Sequence, residues 1–282
     1  MVKSDGGFGY QLTDIATIKM RYDDLHAQEI LYVVDKRQSL HFEQVFEVAE
    51  KLNLAPDTTF KHIGFGTVNG ADGKPFKTRD GGVMNLEDLI NMSIAKVRES
   101  TPTADEVEGF SAQDIEKMIS QIAIGAIKFQ DLKNNTASGY VFELDDFAKF
   151  DGKTGPYIQY AIARINSILR KAQDAGLKFG DIIITNQEER DLCLKIAQLN
   201  TIIARAEAEK EPSIISDYVY NLAQLFSGFY NTSPIMSEAD KAKASSRLKL
   251  AKLVRDILKL NLYLLGIEAP EVMLKAEAKT AA

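Results

Sequence analysis

Tyr157, Tyr160 and Arg164 stand three and four residues apart, so a helix through them presents two aromatic rings and a guanidinium on one face. Groups of this kind stack on splayed RNA bases and reach base edges or phosphates. The same stripe also serves plain helix packing, and on spacing alone both readings stay open. Lys74, Lys77 and Arg79 follow the turn-forming run Asn69-Gly70-Ala71-Asp72-Gly73, which places them on a loop; by themselves they read as a solvated basic turn. Lys241, Lys249, Lys252, Arg255 and Lys259 lie opposite Leu250, Leu253, Val254, Ile257 and Leu260, an amphipathic helix whose basic face either follows phosphates or is simply solvated. The histidines, His26, His41 and His62, are too widely separated for metal-ligand spacing, and the lone Cys193 has no partner for an internal disulfide. Cys193 is expected to be buried and inert.

The elements that carry these residues change character along the chain. Ile15, Ile18 and Tyr22 mark a helix over Thr13 to Leu25, and Ile30 to Asp35 reads as a short strand. Leu40 to Leu52 is again helical, with Phe42, Val45, Phe46 and Ala49 on one face, and leads into a strand over Phe60 to Val68. Strand, helix and strand in this order make a parallel unit. Helix is expected over Leu86 to Glu99, then over Ala112 to Asn134, Pro156 to Ala175, Gln187 to Glu209, Ile214 to Phe229 and Ser237 to Leu265. Ser111 and Ser237 are N-cap candidates, and Gly176 and Gly266 sit where helices should stop. The glycines and proline of Asp151-Gly152-Lys153-Thr154-Gly155-Pro156 mark a boundary, giving an α/β domain over 1–153 and an all-helical domain over 154–282.

The composition, 45% hydrophobic and 26% charged, is that of a folded globular protein, and 282 residues are enough for two cores. A net charge of −6 argues against a general nucleic-acid coat, so any such contact falls to local patches. No apolar run approaches the roughly 20 residues that span a bilayer, and no leader pattern is seen, so a cytoplasmic protein without membrane contact is expected.

Ordered strings along the chain narrow the reading. Ser4-Asp5-Gly6-Gly7, Tyr10, Thr13-Asp14-Ile15-Ala16, Tyr32-Val33-Val34-Asp35-Lys36-Arg37-Gln38, His41-Phe42 and Phe65-Gly66 are followed by Gly73-Lys74-Pro75-Phe76-Lys77-Thr78-Arg79 and Gly125-Ala126-Ile127-Lys128. Pro156-Tyr157-Ile158-Gln159-Tyr160-Ala161, Leu225-Phe226-Ser227-Gly228-Phe229-Tyr230 and Leu265-Gly266-Ile267 complete the series. Taken together, from Ser4 to Met273, they resemble the arginyl-tRNA synthetase family, so many strings in register being far more specific than one short motif. The resemblance implies the second half of a class I, Rossmann-like catalytic domain followed by an anticodon-binding helical bundle. It places Tyr10, Asp14 and Gln38 in the arginine pocket, where a planar guanidinium calls for a carboxylate backed by amide or phenol acceptors. It places Asp35 and His41 beside ATP, together with His62 and Phe65 of the second half of the nucleotide fold. It puts Lys74, Lys77 and Arg79 in the position of the KMSKS signature, as cations for charge that develops on the phosphates. It assigns Tyr157, Tyr160, Arg164, Tyr230 and Met273 to the anticodon. The bland alternatives are that Asp14 and Gln38 cap helices and that Met273 fills a core gap.

Two departures qualify what the resemblance implies. The basic loop differs from the KMSKS consensus, and the HIGH signature, which belongs well upstream of Ser4, does not occur; His62-Ile63-Gly64-Phe65 is similar to it only superficially. The expectation is therefore a piece of an arginine–tRNA ligase, inactive in adenylate formation by itself, with arginine, ATP with Mg²⁺ and tRNA(Arg) as partners of the full-length enzyme and no protein-ligated metal. Association through an exposed half-sheet is expected. The competing reading is a free-standing anticodon-binding module without catalysis. A cysteinyl relative is set aside because metal-binding cysteines are lacking.

Overall fold

The computed structural model describes residues 4–70, 73, 85–142 and 149–274, and the chain falls into two compact units. The first comprises residues up to Asn69 together with Thr136–Val141; the second takes Gly70–Asn135 and everything from Phe142. Compactness thus divides the chain elsewhere than the glycine- and proline-marked boundary near Thr154.

In the first unit, helix α1 (Tyr10–Asp23) precedes strand β1 (Glu29–Asp35), helix α2 (Ser39–Lys51) and strand β2 (Thr59–Phe65). β1 and β2 pair in parallel from Glu29 opposite Thr59 to Asp35 opposite Phe65. The strands alternate rather than being buried on both faces: Ile30 and Tyr32 join Ile15, Ile18, Phe42, Val45 and Ala49 in one core, with Val34 and Phe60 packing against it. The other face of the pair leaves Leu31, Val33 and Phe65 exposed. The second strand is shorter than its sequence predicts: the Gly66 N–H donates to Thr136 O (2.9 Å), and the chain leaves the sheet there. Beyond this break, β3 (Val68–Asn69) pairs in parallel with β4 (Tyr140–Val141), a strand too short to show any period in the sequence.

The second unit is helical. It comprises α3 (Leu86–Glu99), α4 (Ala112–Leu132), α5 (Gly155–Asp174), α6 (Gln187–Ala197), α7 (Leu199–Glu209), α8 (Ser213–Thr232) and α9 (Lys241–Leu264). Ser111 caps α4 in a reciprocal box with Asp114, as its position predicts. The start of α9 falls to Asp240 rather than Ser237, because the Asp240 carboxylate accepts from Ala242 N and Lys243 N. Gly176 and Gly266 take φ of +70° and +67° beyond α5 and α9, the left-handed conformation that ends helices. The helix predicted over Gln187 to Glu209 is two helices, since Gln198 N–H turns back to Lys195 O (3.2 Å) at their junction.

A continuous core joins Ile158, Ile162 and Ile165 of α5 with Leu192, Tyr218, Leu222, Phe226, Val254 and Leu258. A Cβ on Gly155 would lie 2.5 Å from Gly125 O, so α4 and α5 meet at a distance that only glycine permits. Buried Gln159 locks the same contact by donating to Gln121 O (2.9 Å) and Glu268 O (2.7 Å).

Candidate functional site

The geometry of the first unit gathers three of the predicted residues on α1 and α2. Asp14 Oδ2 and His41 Nε2 are 2.7 Å apart, and the Tyr10 and His41 rings lie 4.9 Å apart. α1 begins at Tyr10 with Gly9 as its cap, so Asp14 sits a full turn inside rather than at the helix start. It caps nothing; 31% of its side chain remains exposed, and its second oxygen makes no hydrogen bond among the described residues. Gln38 does occupy the N-cap position of α2, yet its exposed side chain makes no cap bond.

Asp35 and Phe65 end the two parallel strands opposite one another. Ligands of open parallel sheets bind outside the carboxyl ends of the strands, which is where this pair lies. The Asp35 carboxylate is, however, already held by Arg37, through the backbone N–H (2.8 Å), Nε (3.0 Å) and Nη2 (2.7 Å). These bonds bring its pKa down to about 2. His62 lies on the helix-facing side: Nε2 is 3.1 Å from Val34 O and its ring is 4.9 Å from Phe42. It is thus on the opposite face of the sheet from Phe65. Lys74, Lys77 and Arg79 lie outside the described residues.

Arg21 was not foreseen. It stands two turns after Asp14 on the same helix face, and its guanidinium carbon lies 5.1 Å from the Tyr32 ring centre. Burial raises the Tyr32 hydroxyl pKa, against the lowering effect of Arg21. The seven-residue spacing from Asp14 was the signal available in the sequence.

In the helical unit, Arg164 stacks on Tyr230, its guanidinium carbon 4.3 Å from the ring centre. The two are brought together from α5 and α8, 66 positions apart in sequence. Tyr160, one turn before Arg164 and 41% exposed, meets Phe150 edge-on at 6.4 Å. Tyr157 packs against Tyr220 at 5.7 Å and lines the core. Met273 is not with them; it joins Val97, Ile115 and Met118 of the α3–α4 cluster. The reason is the path of the C-terminal segment. Gln159 binds Glu268 O and Asn166 Nδ2 donates to Glu271 Oε2 (2.9 Å), so the segment crosses a face of α5 about half a turn around from Arg164.

Cys193 is partly exposed rather than buried, while burial and nearby Glu189 push its thiol pKa up, which keeps it in the unreactive protonated form. On α9, Leu250, Val254 and Ile257 are buried as expected, but Leu260 is 44% exposed. Arg247 of the same helix is buried and carries two carboxylates, Glu189 at 2.8 Å and Glu238 at 2.7 Å.

Among the described residues no helix is long and apolar enough to cross a membrane. Residues 1–144 match the family model described as tRNA synthetases class I (R), catalytic domain, and residues 158–273 match the DALR anticodon binding domain. The chain is 45% identical over 275 residues to an arginine–tRNA ligase of Hyphomonas neptunium, covering 97% of this chain and 47% of that protein. It is 44% identical over 276 residues to that of Alkaliphilus oremlandii, covering 97% of this chain and 46% of the relative. The chain thus spans about half the length of the curated relatives it matches. Its structure resembles that of Plasmodium falciparum arginyl-tRNA synthetase, with a TM-score of 0.79 and 28% identity over 97% of this chain and 46% of that one. The Thermus thermophilus arginyl-tRNA synthetase shares the fold, with a TM-score of 0.77 at 23% identity over 96% of this chain and 50% of that one. With a catalytic-domain match over more than half of its residues and a DALR domain behind it, the chain belongs to the class I arginyl-tRNA synthetase family.

Proposed function

We propose that this chain serves the attachment of arginine to tRNA(Arg), supplying part of the arginine and ATP site from its first unit and the anticodon-reading surface from its second. The observation that carries this reading is the Arg164–Tyr230 stack, which lies in the stretch matched by the anticodon-binding model. A guanidinium plane on an aromatic ring, with an exposed tyrosine one turn away, offers an unstacked base both a flat partner and polar edges.

In the first unit, Asp14 is the carboxylate for the substrate guanidinium. His41 orients it through one oxygen, Tyr10 closes one side, and the free oxygen is left to accept from arginine. Gln38, whose side chain makes no cap bond among the described residues, is available as an amide acceptor. Asp35 and Phe65 stand at the nucleotide end of the strands, and Lys74, Lys77 and Arg79 supply cations for the pyrophosphate of ATP, which enters with Mg²⁺ as substrate. A cytoplasmic location accords with this role.

Asp14→Asn tests the arginine assignment. In a full-length ligase carrying this sequence, losing a charged hydrogen bond worth about 1.5–3 kcal/mol should raise the arginine KM or lower the adenylation rate at least about tenfold. Unchanged arginine-dependent pyrophosphate exchange would remove Asp14 from the pocket.

A further inference from the structure

The face of α5 opposite Arg164 opens into a cleft of about 680 Å³, bounded by the turn after α5 and by α9. In a chain of net charge −6 its lining is cationic: Arg170, Lys178, Lys252 and Arg255 against the single carboxylate Glu271. Glu271 is already engaged by Lys259 (2.6 Å) and by Asn166. Lys252 and Arg255 share one carboxylate, Asp256, at 2.6 and 2.7 Å. Arg170 and Lys178 are exposed and make no ion pair among the described residues. Positive charge here is therefore in excess of its local partners.

The cleft also offers an aromatic face and a polar floor. Phe179 lines it while 53% exposed, and the segment that follows is tied to α9. Gly180 N–H donates to Ser245 O (3.2 Å), and Ile183 N–H donates to Ser246 Oγ (2.8 Å), fixing that segment along α9. At the floor, Asn166 is 4% exposed; both of its amide contacts go to Glu271, and its Oδ1 has no donor among the described residues. Excess cations, an exposed aromatic ring and an orphaned acceptor in one concavity match a ligand with a phosphate, a flat base and N–H donors.

We propose that this cleft is a nucleotide-binding site, separate from the Arg164–Tyr230 surface, in which Arg170, Lys178 and Arg255 take the phosphate and Phe179 stacks on the base. The nucleotide comes either free or as one residue of an RNA strand, and the two sources are separable by probe. Radiolabelled AMP in equilibrium dialysis reads the free form, and a labelled single-stranded pentanucleotide RNA in fluorescence anisotropy reads the strand. Both are measured with the full chain carrying Arg164→Ala and Tyr230→Ala, so that the other surface contributes nothing.

Arg170→Glu with Lys178→Glu, both exposed, should weaken at least one probe by about tenfold or more. Phe179→Ala should weaken the same probe by about fivefold or more. Lys117→Glu with Lys241→Glu changes the net charge equally outside the cleft and should leave binding within about twofold. Loss of AMP binding assigns the cleft to a free nucleotide, and loss confined to the RNA probe assigns it to a strand; either upholds the site. Equal binding of both probes by the Arg170/Lys178 variant and its parent, or an undiminished affinity in Phe179→Ala, overturns it.

Discussion

The helical unit encloses the Arg247 guanidinium with its carboxylate partners, whereas the α/β unit keeps the Asp14 carboxylate within reach of solvent. Arg247, 7% exposed, is bound by Glu189 and Glu238 from two other segments and also donates to Pro234 O. Asp14, by contrast, meets His41 through one oxygen, while its other oxygen makes no hydrogen bond among the described residues and 31% of its side chain is exposed. A buried ion pair tolerates no loss of one partner, while a half-satisfied carboxylate at a surface is available for a ligand. The difference separates scaffold from site by physical criteria: charges satisfied on every side belong to folding, and charges satisfied on one side belong to binding.

The strongest test of that division is Arg247→Ala. Leaving Glu189, 1% exposed, without its guanidinium should destabilise the helical unit by about 3–5 kcal/mol in denaturant titration. Asp14→Asn, which removes no enclosed charge, should leave the unfolding midpoint of the chain nearly where it was. If both variants unfold alike, the contrast between enclosed and available charge is wrong.

Acid should expose the same contrast. Burial alone would raise the Glu189 carboxyl, but bonds from Thr185 and Arg247 outweigh it and hold the pKa below its ordinary value of 4.5. A carboxylate with a lowered folded pKa gives its full stabilisation above that ordinary value and loses it as pH falls through the lowered one. The midpoint of the helical unit should therefore be flat with respect to Glu189 above pH 4.5 and decline below it. In Glu189→Gln that part of the decline should vanish; an unchanged acid limb would assign it to other groups.

The smallest expected effect concerns two buried tyrosines. Tyr218 in the helical core donates to Lys195 O (3.1 Å), and burial pushes its pKa up to about 12. The buried Tyr32 hydroxyl of the α/β unit has no hydrogen-bond acceptor among the described residues. Tyr218→Phe should cost about 0.5–1.5 kcal/mol, and Tyr32→Phe should cost nothing or stabilise slightly. A reversed order in thermal or denaturant unfolding would show that Tyr32 has a partner in solution.

What could be read in the sequence followed from local pattern. The helix periods, the parallel strand–helix–strand unit, the Ser111 cap and the glycine stops each depend on residues within a few positions of one another. What was missed depends on distance or on very short pieces. The two-residue β4 carries no period, and the break at Gln198 is a single turn within a continuous helical pattern. The Arg247 pair spans 58 positions, and nothing near Arg247 marks it as buried. Site residues divide the same way. Asp14, Tyr10 and His41 were named through resemblance, and the structure brings them together; their contact could not be read from spacing. Met273 was grouped with Arg164 and Tyr230 by resemblance, but the anchoring of Glu268 and Glu271 on the far face of α5 carries it to another cluster.

The central claim, that the helical unit reads the anticodon of tRNA(Arg) through the Arg164–Tyr230 surface, is tested most directly by filter binding. The chain is titrated with tRNA(Arg) and with the same tRNA carrying an exchanged anticodon, at fixed salt. The account predicts that the chain prefers the native anticodon and that Arg164→Ala with Tyr230→Ala removes this preference, a loss of about 1–3 kcal/mol for each base stack. Equal affinity for the two tRNAs, or a preference that survives the double substitution, would contradict it.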